Sequence, residues 1–397
     1  MSARVASTGR RRVTSVAVVG ALGVTAYTHL GYPLLVRLAA RRRHDASPCR
    51  DEELPDVTVV IPAYNEAAVI AQKIEDTLAQ EYPADRLAIL VVDDGSTDST
   101  ASIVRDMGVR LLQGESRGGK CEAINRALAV VSSTVVCLTD ANGSLAPGSL
   151  RAIGTAFTTT DAAVVSGTKH AISAGGGYGS GESVYWRLEN GLKEAESSFG
   201  CAMGADGGVF AVRRANFEPI PPHTIADDLE VPFGALERGL AVVHVSAAAA
   251  YEEVSQSTVD EFERRTRIAA GVWQAIARHR RLADPRRGPV AIAFISHRVL
   301  RTGVVPFALV VAWLGSGALA SQSAPARVVF ALQTAAWGAA ALGTVVDWRV
   351  LGLPLQFALA NVASIRGGYR FVTGQQLPSW RRTQRGRWIA ARQTRVA

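Results

Sequence analysis

Short apolar runs rich in β-branched residues alternate with segments of helical spacing through the middle of the chain. The runs are VTVVIPAY from Val57, LAILVVDD from Leu87, TVVCLTD from Thr134, AAVVSG from Ala162 and GGVFAV from Gly207. Apolar residues three and four apart predict helices over 66–80, from Lys120, after Pro147, and over 182–198, 227–238 and 258–278. Strands that are apolar throughout and alternate with helices indicate a mostly parallel sheet covered on both faces, and hence an α/β domain.

Three longer segments are apolar enough to cross a membrane. They cover residues 13–35, 304–320 and 328–346. A bilayer core ~30 Å thick needs about 20 such residues in a helix, with a lower limit near 17. Residues 290–300 and 351–361 are also apolar but too short to span, so we expect interfacial or re-entrant pieces there. The chain is therefore predicted to be a membrane protein with a soluble middle.

The distribution of arginine predicts how these segments are oriented. Residues 366–395 and 41–43 are strongly basic, which predicts that both face the cytoplasm. The arginines at 10–12 lie on the other flank of the first segment and oppose this orientation, so the C-terminal residues decide it. The first apolar run is too long for a signal peptide and no small-x-small site follows it, so we expect a retained anchor.

These patterns divide the chain into four parts. We expect an N-terminal membrane anchor over residues 1–45 and a cytosolic α/β domain over 55–285. An interfacial helix and the C-terminal membrane segments follow over 286–366, and a basic cytosolic tail occupies 367–397. The prediction is a multi-pass protein of the inner or plasma membrane, with its α/β domain in the cytoplasm.

The net charge and the cysteine content limit the classes of molecule that the protein is expected to bind and the compartment of its soluble domain. The net charge of +8 comes partly from the membrane flanks and suits anionic membrane lipids and phosphate-bearing substrates. Basic residues do not interleave with aromatic ones as they do in nucleic-acid-binding proteins, so no nucleic acid is expected. The cysteines show no CxxC spacing and fit reduced, structural thiols in a cytosolic domain.

Polar residues cluster where the predicted strands end. Tyr64 and Glu66 follow the first strand, Asp93 and Asp94 end the second, and Asp140 follows the run that contains Cys137. Ligands of parallel α/β sheets bind beyond the carboxyl ends of the strands. This convergence is the main functional signal in the sequence.

Each of these clusters has a structural alternative. Asp93 or Asp94 can accept a hydrogen bond from a base or ribose. The structural alternative is that they cap the following helix, although Ser96 or Asp98 can already provide that cap. The sequence Arg117-Gly118-Gly119-Lys120 opens a helix and suits an oxyanion, although a solvated turn gives the same pattern.

A second acidic pair, Asp227-Asp228, begins a predicted helix beyond the sheet. Acids in a first helical turn are often only partners of the helix dipole. Local sequence alone therefore favours that structural reading of the pair over a chemical one.

Six motifs occur together in one order along the chain. They are VIPAYNE, VVDDGSTD, RGGK, LTDAN, IADDLE and RRTRIAAG. This set resembles the membrane-bound family 2 glycosyltransferases, the group that contains cellulose, hyaluronan and poly-N-acetylglucosamine synthases. The resemblance implies a GT-A fold for the α/β domain, a nucleotide sugar bound at the strand ends, and one inverting displacement assisted by Mg²⁺ or Mn²⁺.

The resemblance also assigns roles to individual positions. It implies a nucleotide-sugar site formed by Pro62, Tyr64, Glu66, Asp93, Asp94, Lys120, Asp140 and Arg267. Asp94 matches the acid that reads the uracil edge, which implies a UDP-sugar, while Lys120 and Arg267 match residues facing the diphosphate. Asp228, preceded by Asp227, matches the general base. Asp140 and Asn142 occupy the two outer places of the D-x-D metal motif.

Two departures from the family pattern change what is expected. Asn142 replaces the second acid of D-x-D; its amide oxygen is still a hard ligand, so metal affinity is expected to fall rather than vanish. In the family's Q-x-x-R-W motif, Arg264 replaces the glutamine and Ile268 the tryptophan that holds an acceptor sugar in processive synthases. Transfer of one or a few sugars to a lipid-linked or membrane-proximal acceptor is therefore as well supported as polymerisation.

The predicted function is transfer of a sugar from a nucleotide sugar to a membrane-associated glycan or lipid-linked acceptor in cell-envelope or exopolysaccharide synthesis. The alternative is a non-catalytic membrane scaffold that retains the fold, which the changes at Asn142 and Ile268 favour. The presence of Lys120, Asp140 and Asp228 together favours the enzyme. A nucleotidyltransferase is disfavoured because no second carboxylate pair is evident.

Overall fold

The computed structural model describes residues 2–40, 49–172, 177–253 and 258–376. The arginines at 41–43 and the residues beyond 376 lie outside the described residues, so only residues 366–376 of the basic flanks that predict orientation are described.

In the described part of the chain, eight strands form one sheet in the order β3-β2-β1-β4-β7-β6-β8-β5. The strands are β1 Val57–Ala63, β2 Leu87–Asp93, β3 Arg110–Gln113, β4 Val135–Leu138, β5 Ser144–Leu145, β6 Ala162–Ile172, β7 Phe210–Arg213 and β8 Ala241–Glu253. Strands β3, β2, β1 and β4 are mutually parallel, as are β6 and β8. Strand β7 runs antiparallel to β4 and β6, and β5 antiparallel to β8.

The helices of the α/β domain follow the predicted segments closely. They are α3 Ile70–Leu78, α4 Thr100–Asp106, α5 Lys120–Leu128, α6 Ser149–Thr159, α7 Gly177–Ser197, α8 Asp227–Glu237 and α9 Thr258–Arg278. The apolar helices outside this domain are α1 Ser2–Ala26, α2 Tyr32–Ala39, α10 Pro289–Ala293, α11 Val305–Leu319, α12 Ala324–Leu342 and α13 Arg349–Val372, with π-helical turns at Tyr27–Gly31 and Phe294–Val304.

Two apolar clusters, one on each face of the sheet, form the core. Val60 and Leu90 point to one face with the side chains of α5, while Val59, Ile61 and Val91 point to the other with those of α3 and α6. Because the central strands are buried on both faces, they are apolar at every position. This explains why the sequence pattern located these strands so clearly.

The sheet is mixed, with four parallel pairings, as the mostly parallel expectation has it, and three antiparallel ones. Strand β7 pairs with β4 in the opposite direction, so the residues that precede β7 lie at the carboxyl end of β4. Strands β3, β5 and β8 were not predicted. Strand β8 contains four consecutive alanines and β5 has two residues, so neither shows an alternating pattern.

Among the described residues, three helices are long and apolar enough to cross a membrane: Arg11–Ala39, Pro289–Leu319 and Arg349–Val372. The first agrees with the predicted anchor. The second joins the predicted span at 304–320 to the piece at 290–300 in one continuous helix of 31 residues. A helix of that length exceeds the ~30 Å of a bilayer core, and its first third packs against the α/β domain instead.

The two remaining predictions for the membrane region differ from the candidate spans. The segment predicted to span at 328–346 lies in α12, whose 19 residues are long enough for a span but less apolar than the three candidates. The segment at 351–361, predicted to be interfacial, belongs to α13, which continues to Val372 and meets the length and composition of a span.

Helix α13 extends beyond the predicted segment at 351–361 because an acidic side chain of α9 pairs with its arginines. Arg366 and Arg370 each pair with Glu263 of α9 at 2.8 Å. Gly367 lets the two helices approach closely, since a Cβ there would lie 2.7 Å from the Cβ of Ala269. The last apolar helix is therefore docked on a helix of the α/β domain.

Candidate functional site

A cleft of about 1870 Å³ lies beyond the carboxyl ends of β1 and β4. Its walls include strand-end residues, the start of α8, helix α9 and residues of α13. Of the predicted site residues, those that line it are Pro62, Tyr64, Glu66, Lys120, Asp140, Asn142, Asp227, Asp228 and Arg267. Motifs that lie far apart in the sequence thus meet in one cavity, as their positions at strand ends predicted.

Lys120 is the centre of the charged cluster in this cleft. Its Nζ lies 2.9 Å from Oδ1 of Asp140 and 3.0 Å from Oδ2 of Asp227. Burial lowers the pKa of Lys120, but the negative charges of Asp140, Asp227 and Asp228 outweigh it and raise that pKa well above its usual value. The lysine therefore carries a fixed positive charge at the point where the acids of two motifs converge.

Asp228 is the acid of this cluster that is poised to exchange a proton. Burial, and then the charge of Asp227, raise its pKa to about 6, while Lys120 acts in the opposite direction. A carboxyl with this pKa is ionised at neutral pH yet basic enough to accept a proton, which suits a general base.

The position of Asp228 is set by contacts of α9 with the sequence before α8. Gln274 accepts a hydrogen bond from the Ile225 amide at 2.9 Å and donates one to the His223 carbonyl at 3.0 Å. Gly271 of α9 faces Ala226, where a Cβ would lie 2.9 Å from the alanine Cβ. These contacts hold the chain that enters α8 and fix the direction of its first-turn acids.

Asp93 and Asp94 hold the loops around the cleft together. Asp94 accepts hydrogen bonds from the amides of Gly118 and Gly119 at 3.0 and 2.7 Å, and from Arg126 at 2.9 Å. Asp93, fully buried, accepts one from the Ser96 amide at 3.3 Å. Asp94 thus positions the loop that leads to Lys120, while its contact with a nucleobase stays a prediction.

The end of the cleft beside β1 carries an aromatic ring and a cation. The guanidinium of Arg117 lies 4.2 Å from the ring centroid of Tyr64, and both residues line the cavity. Stacked groups of this kind offer a flat surface to a base. Neighbouring turns fix the strand end, because the Asn65 amide donates to Ser96 and the Glu66 amide to Thr100, each at 2.8 Å.

A fully buried lysine that sequence reasoning missed supports the turn with Asp140 and Asn142. Lys73 of α3 donates to Oγ1 of Thr139 at 2.8 Å and to the Gly143 carbonyl at 2.7 Å. Burial lowers the pKa of Lys73 to about 8. The signal was in the sequence, since Lys73 falls on the apolar face of α3 together with Ile70 and Ile74.

Two further groups of charged residues line the cleft without having been predicted. Lys169 and Glu252 form a mostly buried ion pair between β6 and β8. Asp206 is buried, and burial raises its pKa, while Lys193 and Lys169 partly offset that effect. Lys169 and Glu252 lie on the parallel strands β6 and β8, and Asp206 precedes β7.

Arg267 lies on α9 and lines the cleft near the acids. Burial lowers its pKa, as does the charge of Arg264, and Asp228 acts in the opposite direction. The two neighbouring arginines of this helix bind Glu261, with Arg264 Nε at 2.7 Å and Arg265 Nε at 2.8 Å. The negative charges of Asp228, Asp140 and Asp227 act on Arg267, which places its guanidinium near the charged cluster.

Comparisons with known proteins agree with this architecture. Residues 58–219 match the sequence model of the family described as Glycosyl transferase family 2. The mannosyltransferase PcManGT from Pyrobaculum calidifontis, solved with GDP-Man and Mn²⁺, superposes with a TM-score of 0.71 at 25% identity. That superposition covers 90% of this chain and 99% of the mannosyltransferase. The chain therefore carries a glycosyltransferase family 2 domain with the GT-A fold, and the predicted resemblance and fold are confirmed.

Curated relatives resemble parts of the chain. The probable glycosyltransferase YdaM of Bacillus subtilis is 37% identical over 101 residues, which is 23% of this chain and 24% of YdaM. A beta-monoglucosyldiacylglycerol synthase from Nostoc is 25% identical over 264 residues, or 64% of this chain and 56% of the synthase. The chain thus matches between about a quarter and just over half the length of these relatives.

Proposed function

We propose that this chain is an inverting glycosyltransferase that moves a sugar from a nucleotide sugar to a hydroxyl group of a membrane lipid or lipid-linked acceptor. The observation that carries this proposal is the cluster of Lys120, Asp140, Asp227 and Asp228 in a cleft that continues to the apolar helices. The same charged cluster argues against a non-catalytic scaffold, since its acids and its lysine line the cleft.

The cleft continues from the charged cluster to all three candidate membrane helices. Its lining includes Gln356, Phe357 and Asn361 of α13, and His29 of the first apolar helix, whose ring contacts Phe357 edge-on with centroids 5.4 Å apart. An acceptor held in a membrane can reach Asp228 along this route with its hydroxyl first. A lipid acceptor fits that path, and one relative is a synthase of a glycosylated diacylglycerol.

In the proposed reaction Asp228 removes the proton of the acceptor hydroxyl as its oxygen bonds to the anomeric carbon. The bond from that carbon to the diphosphate breaks on the opposite face, so the configuration inverts. Lys120 and Arg267 are placed to stabilise the negative charge that develops on the leaving nucleoside diphosphate.

Asp140 and Asn142 are the residues that would hold a divalent cation. Both line the cleft, and both offer the oxygen ligands that Mg²⁺ and Mn²⁺ prefer. Among the described residues no group of three His, Cys, Asp or Glu side chains is arranged to hold a metal ion, so the donor diphosphate has to complete the ligand set. A bound cation there would neutralise diphosphate charge as a Lewis acid.

The location that fits this proposal is a multi-pass protein with its glycosyltransferase domain on the cytoplasmic side. Nucleotide sugars are present in the cytoplasm, where the domain would bind them. The basic residues at 366–395 favour the same orientation. Reporter fusions at the C-terminus, with cytoplasmic and extracytoplasmic readouts, test it; a C-terminus found outside the cytoplasm would overturn the orientation.

A donor panel tests the proposed activity. Full-length protein in nanodiscs would be incubated with UDP- and GDP-sugars and Mn²⁺ or Mg²⁺, with and without a membrane lipid extract, while nucleoside diphosphate release is measured. Release from one donor that rises with lipid supports a lipid acceptor. Release without any lipid dependence would refute the lipid acceptor, and no release from any donor would refute the activity.

Replacing Asp140 by alanine is expected to weaken metal-dependent donor binding by at least about tenfold, because the amide of Asn142 alone offers no charge to the cation. Titration of donor with and without Mn²⁺ measures this. The matched variant Asn142→Asp restores a second acid and should tighten metal-dependent binding. Equal Mn²⁺ dependence in wild type and both variants would show that this turn does not hold the metal.

The transfer rate is expected to fall on the acid side of neutrality with a midpoint near the pKa of about 6 that Asp228 has in the folded protein. Below that pH the carboxyl is protonated and cannot accept the acceptor proton; above it the rate should level off. Initial rates of transfer between pH 4.5 and 8 measure this, with donor binding as control. A rate that stays level from pH 8 down to pH 5, as expected for an ordinary aspartate with a pKa of about 4, would contradict the raised value.

A further inference from the structure

Met203 precedes a glycine-rich segment that runs beside Asp228. Its amide donates to Oε2 of Glu196 at 3.0 Å, and its carbonyl accepts from Nε of Arg298 at 2.9 Å and also from Nη2 of that arginine. A few residues later, a Cβ on Gly207 would lie 3.3 Å from Oδ2 of Asp228. Residues 203–208 are here called the acceptor segment. The segment starts at Met203, whose amide and carbonyl groups are both hydrogen-bonded to side chains.

The two side chains that hold Met203 come from different parts of the molecule. Glu196 lies on α7 of the glycosyltransferase domain, whereas Arg298 lies on the long helix that continues into α11. Glu196 also accepts from Oη of Tyr32, on the first apolar helix, at 2.8 Å and contacts Nδ1 of His297 at 2.8 Å. Two apolar helices and α7 thus meet at one buried carboxylate.

A second buried carboxylate orients Arg298. Glu189 lies 2.6 Å from Arg301 and 3.6 Å from Arg298, and 3.0 Å from Nε2 of His297. Burial raises the pKa of Glu189, but the charges of His297, Arg301 and Arg298 hold it well below its usual value, so this acid is ionised. Apolar side chains would join these helices at a lower desolvation cost than buried charges. The charged network instead ends at the main chain of the acceptor segment, which indicates a role in holding that segment.

We propose that Arg298 is a positioning residue, which holds the acceptor segment beside Asp228 while the apolar helices are docked on the glycosyltransferase domain. This inference rests on the proposed function. Gly204, at φ +104° and with its Cβ position 3.0 Å from Arg298, follows the contour of the arginine closely. Donor binding depends on the other wall of the cleft, around Tyr64 and Lys120, so loss of Arg298 should affect the acceptor and spare the donor.

The test compares full-length Arg298→Ala with wild type in nanodiscs. Transfer to lipid is expected to fall about 10- to 100-fold, the effect of losing a charged hydrogen bond, with donor binding and donor hydrolysis by water within about twofold of wild type. Arg298→Lys can still donate to the Met203 carbonyl and should recover part of the transfer rate. Hydrogen exchange should rise in residues 203–208 and stay unchanged in 117–122.

The matched control is Arg287→Ala. Arg287 also donates to two main-chain carbonyls, those of Leu236 and Glu237 at 3.0 and 3.1 Å, but at the far end of α8. Lipid transfer in Arg298→Ala equal to that in Arg287→Ala would overturn the proposal, as would unchanged exchange in residues 203–208.

A second variant and the exchange measurement test the proposal if Arg298→Ala unfolds or if the wild-type protein shows no transfer. If Arg298→Ala unfolds, Tyr32→Phe removes only the hydroxyl contact with Glu196 and should show a smaller change in the same direction; transfer and exchange equal to wild type would then overturn the proposal. If the wild-type protein transfers no sugar, the proposed function fails, and the exchange measurement still decides whether Arg298 holds the acceptor segment.

Discussion

Asp228→Asn is expected to lower sugar transfer by about 10²- to 10⁴-fold, because asparagine keeps the shape of the side chain but cannot accept the acceptor proton. Donor binding should be preserved. The charge of Asp227 disfavours ionisation of Asp228, so removing the second charge relieves repulsion and should leave the melting temperature equal or higher. Nucleoside diphosphate release, donor titration and thermal unfolding of the same preparation measure all three quantities.

Asp227→Asn is the informative comparison. Asp227 pairs with Lys120 at 3.0 Å, so its loss should change the lysine that faces the diphosphate and weaken donor binding. The two substitutions are thus expected to have different effects: Asp228→Asn lowers turnover, and Asp227→Asn lowers the affinity for the donor. Full turnover in Asp228→Asn would remove that residue from the role of base, and a parallel loss of donor binding would indicate a structural role.

Gly207→Ala is expected to reduce transfer by about 10²-fold with donor binding nearly unchanged. The added methyl group would lie 3.3 Å from Oδ2 of Asp228 and 3.9 Å from Oδ2 of Asp140, between the proposed base and the proposed metal ligand. The carboxylate of Asp228 has to move by a few tenths of an ångström, and small misplacements of reacting groups have effects of this size. Steady-state rates with fixed donor and varied acceptor measure the loss.

Gly234→Ala serves as the control for that substitution. Gly234 lies in α8, the helix that begins with Asp227 and Asp228, and a Cβ there has no atom within 4 Å. Alanine should stabilise the helix by about 0.5–1 kcal/mol and leave transfer unchanged. Equal rates for Gly207→Ala and wild type would show that the space between the two acids is not occupied during the reaction.

The parallel half of the sheet was predictable because burial on both faces leaves only apolar residues in its strands. The site residues that follow those strands, such as Tyr64 and Asp140, could therefore be located before the structure was known. The resemblance was needed for Asp228, since an acid in a first helical turn is more often a dipole partner. Its electrostatic interaction with Lys120 connects α8 with α5, and no local sequence pattern encodes it.

The residues that were missed have different physical causes. Glu252 lies on the alanine-rich strand β8, where alternation is weak, whereas Lys169 and Asp206 lie just outside the apolar runs AAVVSG and GGVFAV that predicted β6 and β7. Lys73 was overlooked because a buried lysine is rare and its partners, Thr139 and the Gly143 carbonyl, lie about seventy positions further along the chain. The length of α13 was underestimated since the arginines near its end are neutralised by Glu263 on another element.

The close packing of α13 on α9 has a practical consequence for preparing this protein. Gly367 touches Ala269 and Ala270 of α9, and Gly271 of that helix touches Ala226, next to the acids of the site. A soluble fragment cut before residue 289 would expose the face of α9 that α13 covers and would lose the wall of the cleft that α13 provides. Inhibitor screens and crystallisation trials should therefore start from the whole chain in lipid, since a trimmed domain would display an incomplete cavity.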